Sequence, residues 1–215
     1  MKKIEMIYET LFEAFGPQHW WPGETPFEIA VGAILTQNTN WGNVEKAINN
    51  LKSARALSAK KIHVMPANSF SALIRPAGYF NIKAKRVKAF ISFLMENYHG
   101  SMAAMKREGV HLLREKLLSV NGIGPETADS ILLYALGKPV FVIDAYTKRV
   151  LSRHKIMDHD KSYEEFQGLF HASLRKDLKL FNEYHALFVA VGKSYCKPKP
   201  QCDKCALKDL RPISI

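Results

Sequence analysis

Apolar side chains recur along most of this chain at intervals of three and four residues, a spacing that places them on one face of an α-helix. Together with helix-starting residues, this pattern predicts helices over 2–15, 25–39, 41–54, 59–76 (two short helices separated by Pro66), 81–98, 108–119, 145–154 and 178–195, with a further start at Ser162. No two segments alternate as paired strands do, and Val140–Ile143 is too isolated to build a sheet. The pattern therefore predicts an all-α protein.

The most informative stretch runs from Leu112 to Asp144 and reads as helix, tight turn, helix, short connector and carboxylate. Asn121–Gly124 ends the first helix, and its two glycines allow positive φ and leave no side chain over the turn. Pro125 suits the first position of the second helix. The amide N–H groups of Gly122–Gly124 could bind one phosphate, which positions a nucleic acid without reading its sequence. The alternative is an ordinary helix–turn–helix corner closed by a glycine.

The formal charge is +11, from 31 Lys and Arg against 20 Asp and Glu in 215 residues. This excess suits a polyanionic partner, although a basic globular protein without such a partner has the same composition. Apolar residues make up 47% of the chain, as in globular proteins. Glutamates at positions 5, 9 and 13 exclude a secretory segment there, and no run approaches the ~20 apolar residues of a membrane span. We expect no membrane association and a place in the cytoplasm, at the nucleoid.

Three tryptophans are candidates for binding a nucleic-acid base. Trp20 and Trp21 stand together in a Pro/Gly loop, where no helix or strand periodicity lets both point inward. They either fill the space between two layers of helices or offer indole faces on which an extruded base can stack. Trp41, at the start of the next helix, could complete this clamp. Neutral aromatic rings attract cations, which favours a positively charged base such as adenine alkylated at N3 or N7.

The segment Thr25-Pro26-Phe27-Glu28 is a strong helix start, with an N-cap threonine, a proline at the first position and a glutamate to close a capping box. The apolar helix that follows ends in four polar residues, among which Gln37 and Asn38 either cap the helix or contact a ligand.

Four basic residues follow the glycine turn at Gly78, either as a solvated face or as a surface for a nucleic-acid backbone: Lys83, Lys85, Arg86 and Lys88.

Together these motifs resemble the helix-hairpin-helix DNA glycosylase superfamily, and the endonuclease III group within it. The resemblance is carried by the LxxVxGIGxxTA hairpin and the PVFVID segment after it (139–144), TPFEIAVGAILTQNT (25–39), GYFNIKAKRVK (78–88) and the cysteine tail after Tyr195. It implies a two-lobed fold with DNA in the cleft, in which 25–137 form a helical domain with the hairpin and 1–24 join 138–215. GIGxExAD, the WWP loop and TQNT resemble the 3-methyladenine DNA glycosylase branch most.

The resemblance also implies roles for single residues. Asp144 matches the catalytic aspartate; by itself an aspartate before a helix is most often an N-cap, and one residue can do both. Gln37, with Asn38 beside it, matches the residue that fills the gap left by an extruded nucleotide. Further DNA contacts are implied at Gly122, Gly124, Thr127 and Lys193, although Lys193 could also be an ordinary surface lysine.

One hairpin position departs from the family pattern. Bifunctional members carry a lysine two residues after the second hairpin glycine, and its amine attacks C1′ to form a Schiff base. Here that position holds Glu126, and a carboxylate cannot form an imine. The resemblance therefore implies a monofunctional glycosylase of base excision repair, a monomer with Glu126 at the base pocket, acting on a damaged base in double-stranded DNA. The alternatives are a mismatch glycosylase for thymine, uracil or adenine, a bifunctional lyase with another lysine, and a non-enzymatic DNA-binding module.

All three cysteines lie within ten residues, as Cys196-x5-Cys202-x2-Cys205, which indicates a metal site rather than a disulfide framework. They resemble the family's iron–sulfur motif, C-x6-C-x2-C-x5-C, with the first gap one residue short and the fourth position at Arg211. A 4Fe–4S cluster normally takes four thiolates. Three interpretations stay open: a cluster with an open or non-cysteine fourth ligand, a zinc site that borrows an aspartate, or an empty remnant.

The resemblance also implies a monovalent cation at the hairpin carbonyls of Ser119–Gly124.

Overall fold

The computed structural model describes residues 2–20 and 23–210. All regular secondary structure in these ranges is helical, which confirms the predicted all-α class. The α-helices are α1 (Lys2–Phe15), α2 (Pro26–Leu35), α3 (Trp41–Ser53), α4 (Ala59–Val64), α5 (Ala67–Leu73), α6 (Phe80–Tyr98), α7 (Met102–Lys106), α8 (Val110–Leu118), α9 (Pro125–Ser130), α10 (Ala145–Arg153), α11 (Tyr163–Ser173) and α12 (Leu178–Ser194). Short 3₁₀ turns lie at Arg75–Ala77 and Cys202–Lys204, and Ile131–Ala135 is π-helical. None of the helices in the described ranges is both long and apolar enough to cross a membrane.

The chain divides into two compact units, Trp21–Lys138 as the first and Met1–Trp20 with Pro139–Ile215 as the second. In the first unit, α2 packs against α3, α6, α9 and the π-helical segment, and its body is buried. Thr25 caps α2 as predicted, because its side chain accepts a hydrogen bond from the Glu28 amide at 3.1 Å. The predicted capping box does not close, because the Glu28 carboxylate pairs with Lys52 at 3.0 Å instead.

Two of the four basic residues in α6 hold the first unit together. Lys83 is 1% exposed and donates hydrogen bonds to the carbonyl oxygens of Leu35, at the end of α2, and Ala77, at 2.8 and 2.7 Å. Burial, and to a smaller extent the neighbouring Arg86, lowers the pKa of Lys83 to about 8. Lys88 donates to three carbonyl oxygens at the end of α4. Neither predicted role, a solvated face or a nucleic-acid surface, applies to these two lysines.

In the second unit, the extended segment Val140–Ile143 leads into Asp144 without joining a sheet. Side chains of α11 satisfy its backbone instead. The Phe141 carbonyl accepts a hydrogen bond from Gln167 at 2.7 Å, and the Phe141 amide donates to Nε2 of His171 at 3.0 Å. Buried backbone groups need such partners. The segment is therefore held without a neighbouring strand, and it fixes the position at which Asp144 emerges.

Helices α10 and α12 of the second unit approach each other closely at Gly192. A Cβ atom placed on Gly192 would lie 2.3 Å from Cδ1 of the Tyr146 ring, so this crossing requires a residue without a side chain. Arg149 of α10 donates hydrogen bonds to the carbonyl oxygens of Gly192 at 3.2 Å and Cys196 at 2.6 Å. The crossing holds the first turn of α10, and with it Asp144, against α12.

We expect Gly192→Ala to lower the free energy of unfolding by about 1–3 kcal/mol, because the added methyl group overpacks the contact with Tyr146. Gly168→Ala in α11 is the matched control. A Cβ atom at Gly168 meets no atom within 4 Å, and alanine is favoured over glycine in a helix by about 1 kcal/mol. Denaturant unfolding of both variants measures the difference. If both variants lose the same free energy of unfolding, the close approach of α10 and α12 is contradicted.

Candidate active site and cysteine cavity

Asp144 is the N-cap residue of α10. Its Oδ1 accepts a hydrogen bond from the Thr147 amide at 2.7 Å, which confirms the capping role expected from the sequence. Its Oδ2 lies 3.6 Å from Nε2 of His185, a residue of α12. Asp144 is 8% exposed, so both carboxylate oxygens are held in place inside the second unit.

The surroundings of Asp144 keep its carboxylate ionised. Burial alone raises the pKa of Asp144, but the facing His185 and the hydrogen bond from the Thr147 amide outweigh it and lower the pKa below its ordinary value. A fixed carboxylate that is charged at neutral pH can stabilise a positive charge that develops beside it. His185 was not among the sequence-predicted site residues. Its only signal is an ionisable side chain within the largely apolar stretch Tyr184–Val191.

Helices α8 and α9 of the first unit form the predicted hairpin. Gly122 has a φ of 85°, and a Cβ atom there would lie 2.2 Å from Cγ of Arg86, so this turn position requires glycine. Gly124 has a φ of −92° and does not use the conformational freedom that glycine offers. The Ile123 amide donates to the Val120 carbonyl at 3.0 Å. This amide therefore closes the turn and is not one of the predicted phosphate donors.

Gln37, which follows α2 in the first unit, lies against the hairpin. Its Nε2 donates hydrogen bonds to the Gly122 carbonyl at 3.0 Å and to the Thr127 hydroxyl at 2.9 Å, and its Oε1 accepts one from Arg86. Thr127 is buried, whereas Asn38, next to Gln37, is exposed and has a φ of 53°. The structure thus joins three predicted DNA-binding residues, Gln37, Gly122 and Thr127, in one network. Arg86, the fourth member, was predicted only as part of a basic surface.

The hairpin helices are tied together by a buried ion pair. Arg114 of α8 donates from Nε and Nη2 to the two carboxylate oxygens of Asp129, at 2.7 and 3.1 Å, and Asp129 is fully buried. Helix α9 begins at Pro125 as predicted, with Gly124 as its N-cap residue. Glu126 follows in the first turn and is exposed, where a negative charge is favourable at the positive end of the helix.

One of the hairpin carbonyls, that of Gly122, is a poor ligand for the predicted monovalent cation. The Gly122 carbonyl already accepts a hydrogen bond from Gln37, and the Arg86 side chain lies directly over Gly122. A second positive charge at this oxygen would be repelled by the guanidinium group. For the other carbonyls of Ser119–Gly124 the cation stays a prediction.

We expect Gly122→Ala to cost about 1–3 kcal/mol of stability, because alanine is strained at this φ and its methyl group displaces Arg86. Gly124→Ala is the matched control, since a Cβ atom there meets no atom within 4 Å. It should leave the midpoint of thermal unfolding nearly unchanged. If the hairpin binds a phosphate, Gly124→Ala should nevertheless weaken DNA binding, which fluorescence anisotropy measures. A stable Gly122→Ala variant would contradict the turn geometry.

Two of the three predicted base-pocket tryptophans lie in the described ranges, and Trp21 lies outside them. Trp20 is half-buried in the second unit, with Nζ of Lys193 5.7 Å from the centroid of its ring. Trp41 is half-buried at the start of α3 in the first unit. Lys193, predicted to contact a phosphate, thus places its ammonium group over an indole face, a contact that stabilises a cation.

Residues 31–176, which include the hairpin and Asp144, match the family described as HhH-GPD superfamily base excision DNA repair protein. The chain belongs to this superfamily. This HhH-GPD protein is a DNA glycosylase of base excision repair. A protein of Methanocaldococcus jannaschii, named as a candidate DNA repair glycosylase, is 48% identical to it over 211 residues, which are 96% of each chain. Endonuclease III of Thermotoga maritima is 26% identical over 208 residues, covering 96% of this chain and 91% of the relative.

Solved structures of DNA glycosylases have the same fold as this chain. The H. pylori 3-methyladenine DNA glycosylase bound to 1,N6-ethenoadenine superposes on the HhH-GPD protein with a TM-score of 0.74 and 29% identity, over 89% of this chain and 97% of that chain. A non-covalent endonuclease III–DNA complex superposes with a TM-score of 0.83 over 98% of this chain and 94% of that chain. Its 21% identity makes it a comparison of fold alone. The predicted helix-hairpin-helix glycosylase fold is therefore confirmed.

In the HhH-GPD protein all three cysteines line one cavity of the second unit, with a volume of about 150 Å³. Cys196 and Cys205 are buried, Cys202 is exposed, and none of them forms a disulfide. Nη1 of Arg153 lies 3.3 Å from Sγ of Cys196, and the Arg153 guanidinium also donates to two carbonyl oxygens of the loop that follows. Arg211, at the position of the family's fourth cysteine, lies outside the described residues.

This donor set fits an iron–sulfur cluster better than a single ion. Within the described ranges, no three potential ligands lie close enough together to hold one metal ion. The thiolates of a cluster stand farther apart, because several irons lie between them. Burial raises the pKa of the Cys205 thiol, so binding to iron would have to displace its proton. No aspartate lines the cavity among the residues that the structure describes, so a zinc ion there would take its fourth ligand from His154, which does line it, and not from the predicted aspartate.

Proposed function

We propose that this HhH-GPD protein is a monofunctional DNA glycosylase that hydrolyses the N-glycosidic bond of a damaged base and leaves the abasic site uncut. The observation that carries the proposal is the buried carboxylate of Asp144. It is held by the Thr147 amide and by His185, and its pKa is lowered. A group so placed is suited to electrostatic catalysis, because it needs no rearrangement when charge develops.

The chemistry follows from the charge that the reaction creates. Cleavage of the bond between base and sugar builds positive charge on the sugar, and a carboxylate near C1′ stabilises it and can orient the attacking water. Glu126 occupies the position at which bifunctional relatives carry a lysine. Without an amine there, no Schiff base with C1′ forms. The products are then the free base and an intact strand with an abasic site.

The DNA partner is proposed to be double-stranded and to be bound by a monomer. Gln37 and Asn38 would face the gap left by the extruded nucleotide, while the amides of Gly122 and Gly124 and the ammonium group of Lys193 contact phosphates. In the free protein the Gln37 amide is hydrogen-bonded to the hairpin. Binding must therefore exchange these hydrogen bonds for contacts within the duplex. The formal charge of +11 supports a polyanionic partner.

For the base we propose an alkylated adenine of the 3-methyladenine type. Support comes from the 29% identity with the H. pylori 3-methyladenine DNA glycosylase and from the half-buried rings of Trp20 and Trp41, with Trp21 adjacent in sequence. A cationic alkylated base is already a good leaving group. A fixed carboxylate near C1′ can therefore promote its release without a general acid.

A neutral base is the second candidate, and the position of Lys193 favours it. Its ammonium group lies over the Trp20 ring and would repel a second cation on the same face. If the extruded base stacks on that face, then uracil, thymine or adenine from a mispair is accepted more readily than an alkylated purine.

Mass spectrometry of released bases tests the two candidates. The substrates are methylated DNA and duplexes that contain 1,N6-ethenoadenine, uracil or thymine opposite guanine, or mispaired adenine. We expect release of 3-methyladenine, with strands that break only after alkali. Release of mispaired bases alone would overturn the alkylated substrate, and strand cleavage without alkali would overturn the monofunctional assignment. DNA binding without release of any base would instead support a non-enzymatic module.

We also propose that Cys196, Cys202 and Cys205 hold a 4Fe–4S cluster. Its role would be to order the lysine-rich loop after α12 near DNA, because the proposed reaction needs no electron transfer. Iron and sulfide analysis of anaerobically purified protein tests the proposal. We expect both elements in equal amounts, and their absence after reconstitution would contradict it.

A further inference from the structure

A three-cysteine cluster leaves one iron without a thiolate ligand. The family pattern places the missing cysteine at Arg211, and a guanidinium group offers no lone pair to a metal. We infer that His154, at the end of α10, supplies the fourth ligand. The inference rests on the proposed cluster and concerns residues of the second unit only.

The position of His154 carries the inference. Its ring lines the same cavity as Cys196, Cys202 and Cys205. Its Nδ1 lies 3.2 Å from the carbonyl oxygen of Leu210. Leu210 immediately precedes the position at which the family pattern has its fourth cysteine. The imidazole is therefore held against the last described residue before that position.

The hydrogen bond to Leu210 also determines which ring nitrogen is available. A carbonyl oxygen only accepts hydrogen bonds, so Nδ1 of His154 carries the hydrogen, and in the neutral ring Nε2 carries the lone pair. Histidines that bind metals commonly donate their other N–H group to a backbone carbonyl in this way, which orients the ring and makes it a better ligand. In its neutral form His154 thus has the tautomer and the supporting hydrogen bond that ligation through Nε2 requires.

The other polar side chains around the cavity are poorer ligands. Arg153 has no lone pair to offer, and it already donates to Sγ of Cys196 and to loop carbonyls. Tyr195 and Lys208, which also line the cavity, must each lose a proton before they can bind iron. An imidazole nitrogen that carries a lone pair binds iron without that cost. Among the described residues that line the cavity, His154 is therefore the best match for the vacant coordination position.

A histidine ligand has a measurable electrostatic consequence. Imidazole is neutral whereas a thiolate is negative, so a cluster with three thiolates and one imidazole carries one negative charge less. Replacement of thiolates by histidine raises the potential of iron–sulfur centres. His154→Cys should therefore keep the cluster but shift its reduction potential to a more negative value. His154→Ala should lose the iron that the imidazole holds or lose the whole cluster.

Pulsed electron paramagnetic resonance of the reduced cluster tests the ligand directly. The full-length protein, with ¹⁵N-labelled histidine, is reconstituted anaerobically with ferrous iron and sulfide, and iron and sulfide are quantified. We expect nitrogen hyperfine coupling in the wild type and none in His154→Cys. His159→Ala is the matched control, because His159 is exposed in the same unit and does not line the cavity. It should keep the wild-type spectrum.

The outcomes separate the ligand from the cluster. A full complement of iron and sulfide without nitrogen coupling in the wild type would overturn His154 as a ligand and leave the cluster proposal standing. Unchanged iron content and spectra in His154→Ala would likewise overturn His154 as a ligand without contradicting the cluster. Stoichiometric zinc, or no metal, in the reconstituted wild type would overturn the cluster and this inference with it. Circular dichroism of each variant confirms that a loss of iron does not reflect unfolding.

Discussion

Asp144→Asn is expected to reduce the rate of base release by about 100-fold or more while leaving DNA binding intact. Asparagine caps a helix about as well as aspartate does, so the hydrogen bond from the Thr147 amide persists and the fold is preserved. The substitution removes the negative charge that supports the positively charged sugar. Because the pKa of Asp144 is lowered, the wild-type carboxylate is charged across the neutral range. The asparagine amide does not ionise, so the activity of the variant should not return when the pH is raised.

Single-turnover base release from methylated DNA and binding to an abasic-site analogue measure this prediction. Asp177→Asn is the matched control, because Asp177 caps α12 in the same unit through the Leu180 amide at 2.9 Å. It undergoes the same chemical change at another helix start and should keep its rate. If Asp144→Asn releases base as fast as Asp177→Asn does, Asp144 is only a cap.

Glu126→Lys is expected to introduce a covalent enzyme–DNA adduct that the wild type does not form. The new amine stands in the first turn of α9, at the position of the lysine in bifunctional relatives. The positive end of the helix disfavours its protonated form, which leaves more of the neutral amine that attacks C1′. Borohydride reduction followed by denaturing gel electrophoresis detects the adduct on DNA that carries an abasic site.

The matched control for this change is Glu115→Lys. Glu115 is exposed on α8, the other helix of the hairpin, so the variant gains the same charge without an amine at the family's lysine position. It should give no adduct. Trapping of the wild type would show that another lysine reacts and would overturn the monofunctional proposal. If Glu115→Lys gives as much trapped adduct as Glu126→Lys, then the reaction does not depend on an amine at position 126.

Signals between neighbours along the chain were sufficient to predict most helices. Asn40 caps α3 through the Asn43 amide, and Ser162 starts α11 as predicted, with a capping box to Glu165. Such interactions join residues three or four positions apart, so they can be recognised in a sequence. Helix α7 was missed because five residues are too few to show a periodic apolar face. The π-helical turn at Ile131–Ala135 was missed because its apolar residues suit an α-helix equally well.

The sequence by itself determined the all-α class, the glycine turn of the hairpin, the capping role of Asp144 and the clustering of the cysteines, because each depends on residues that are close along the chain. Only the tertiary structure decided that His185 faces Asp144, that Arg86 and the hairpin hold Gln37, and that Lys83 closes the end of α2. These pairs are distant in sequence, and a hydrogen bond between distant residues leaves no periodic pattern. A basic or polar side chain looks the same in sequence whether it meets solvent, DNA or a buried carbonyl oxygen, and packing alone determines which of these it finds.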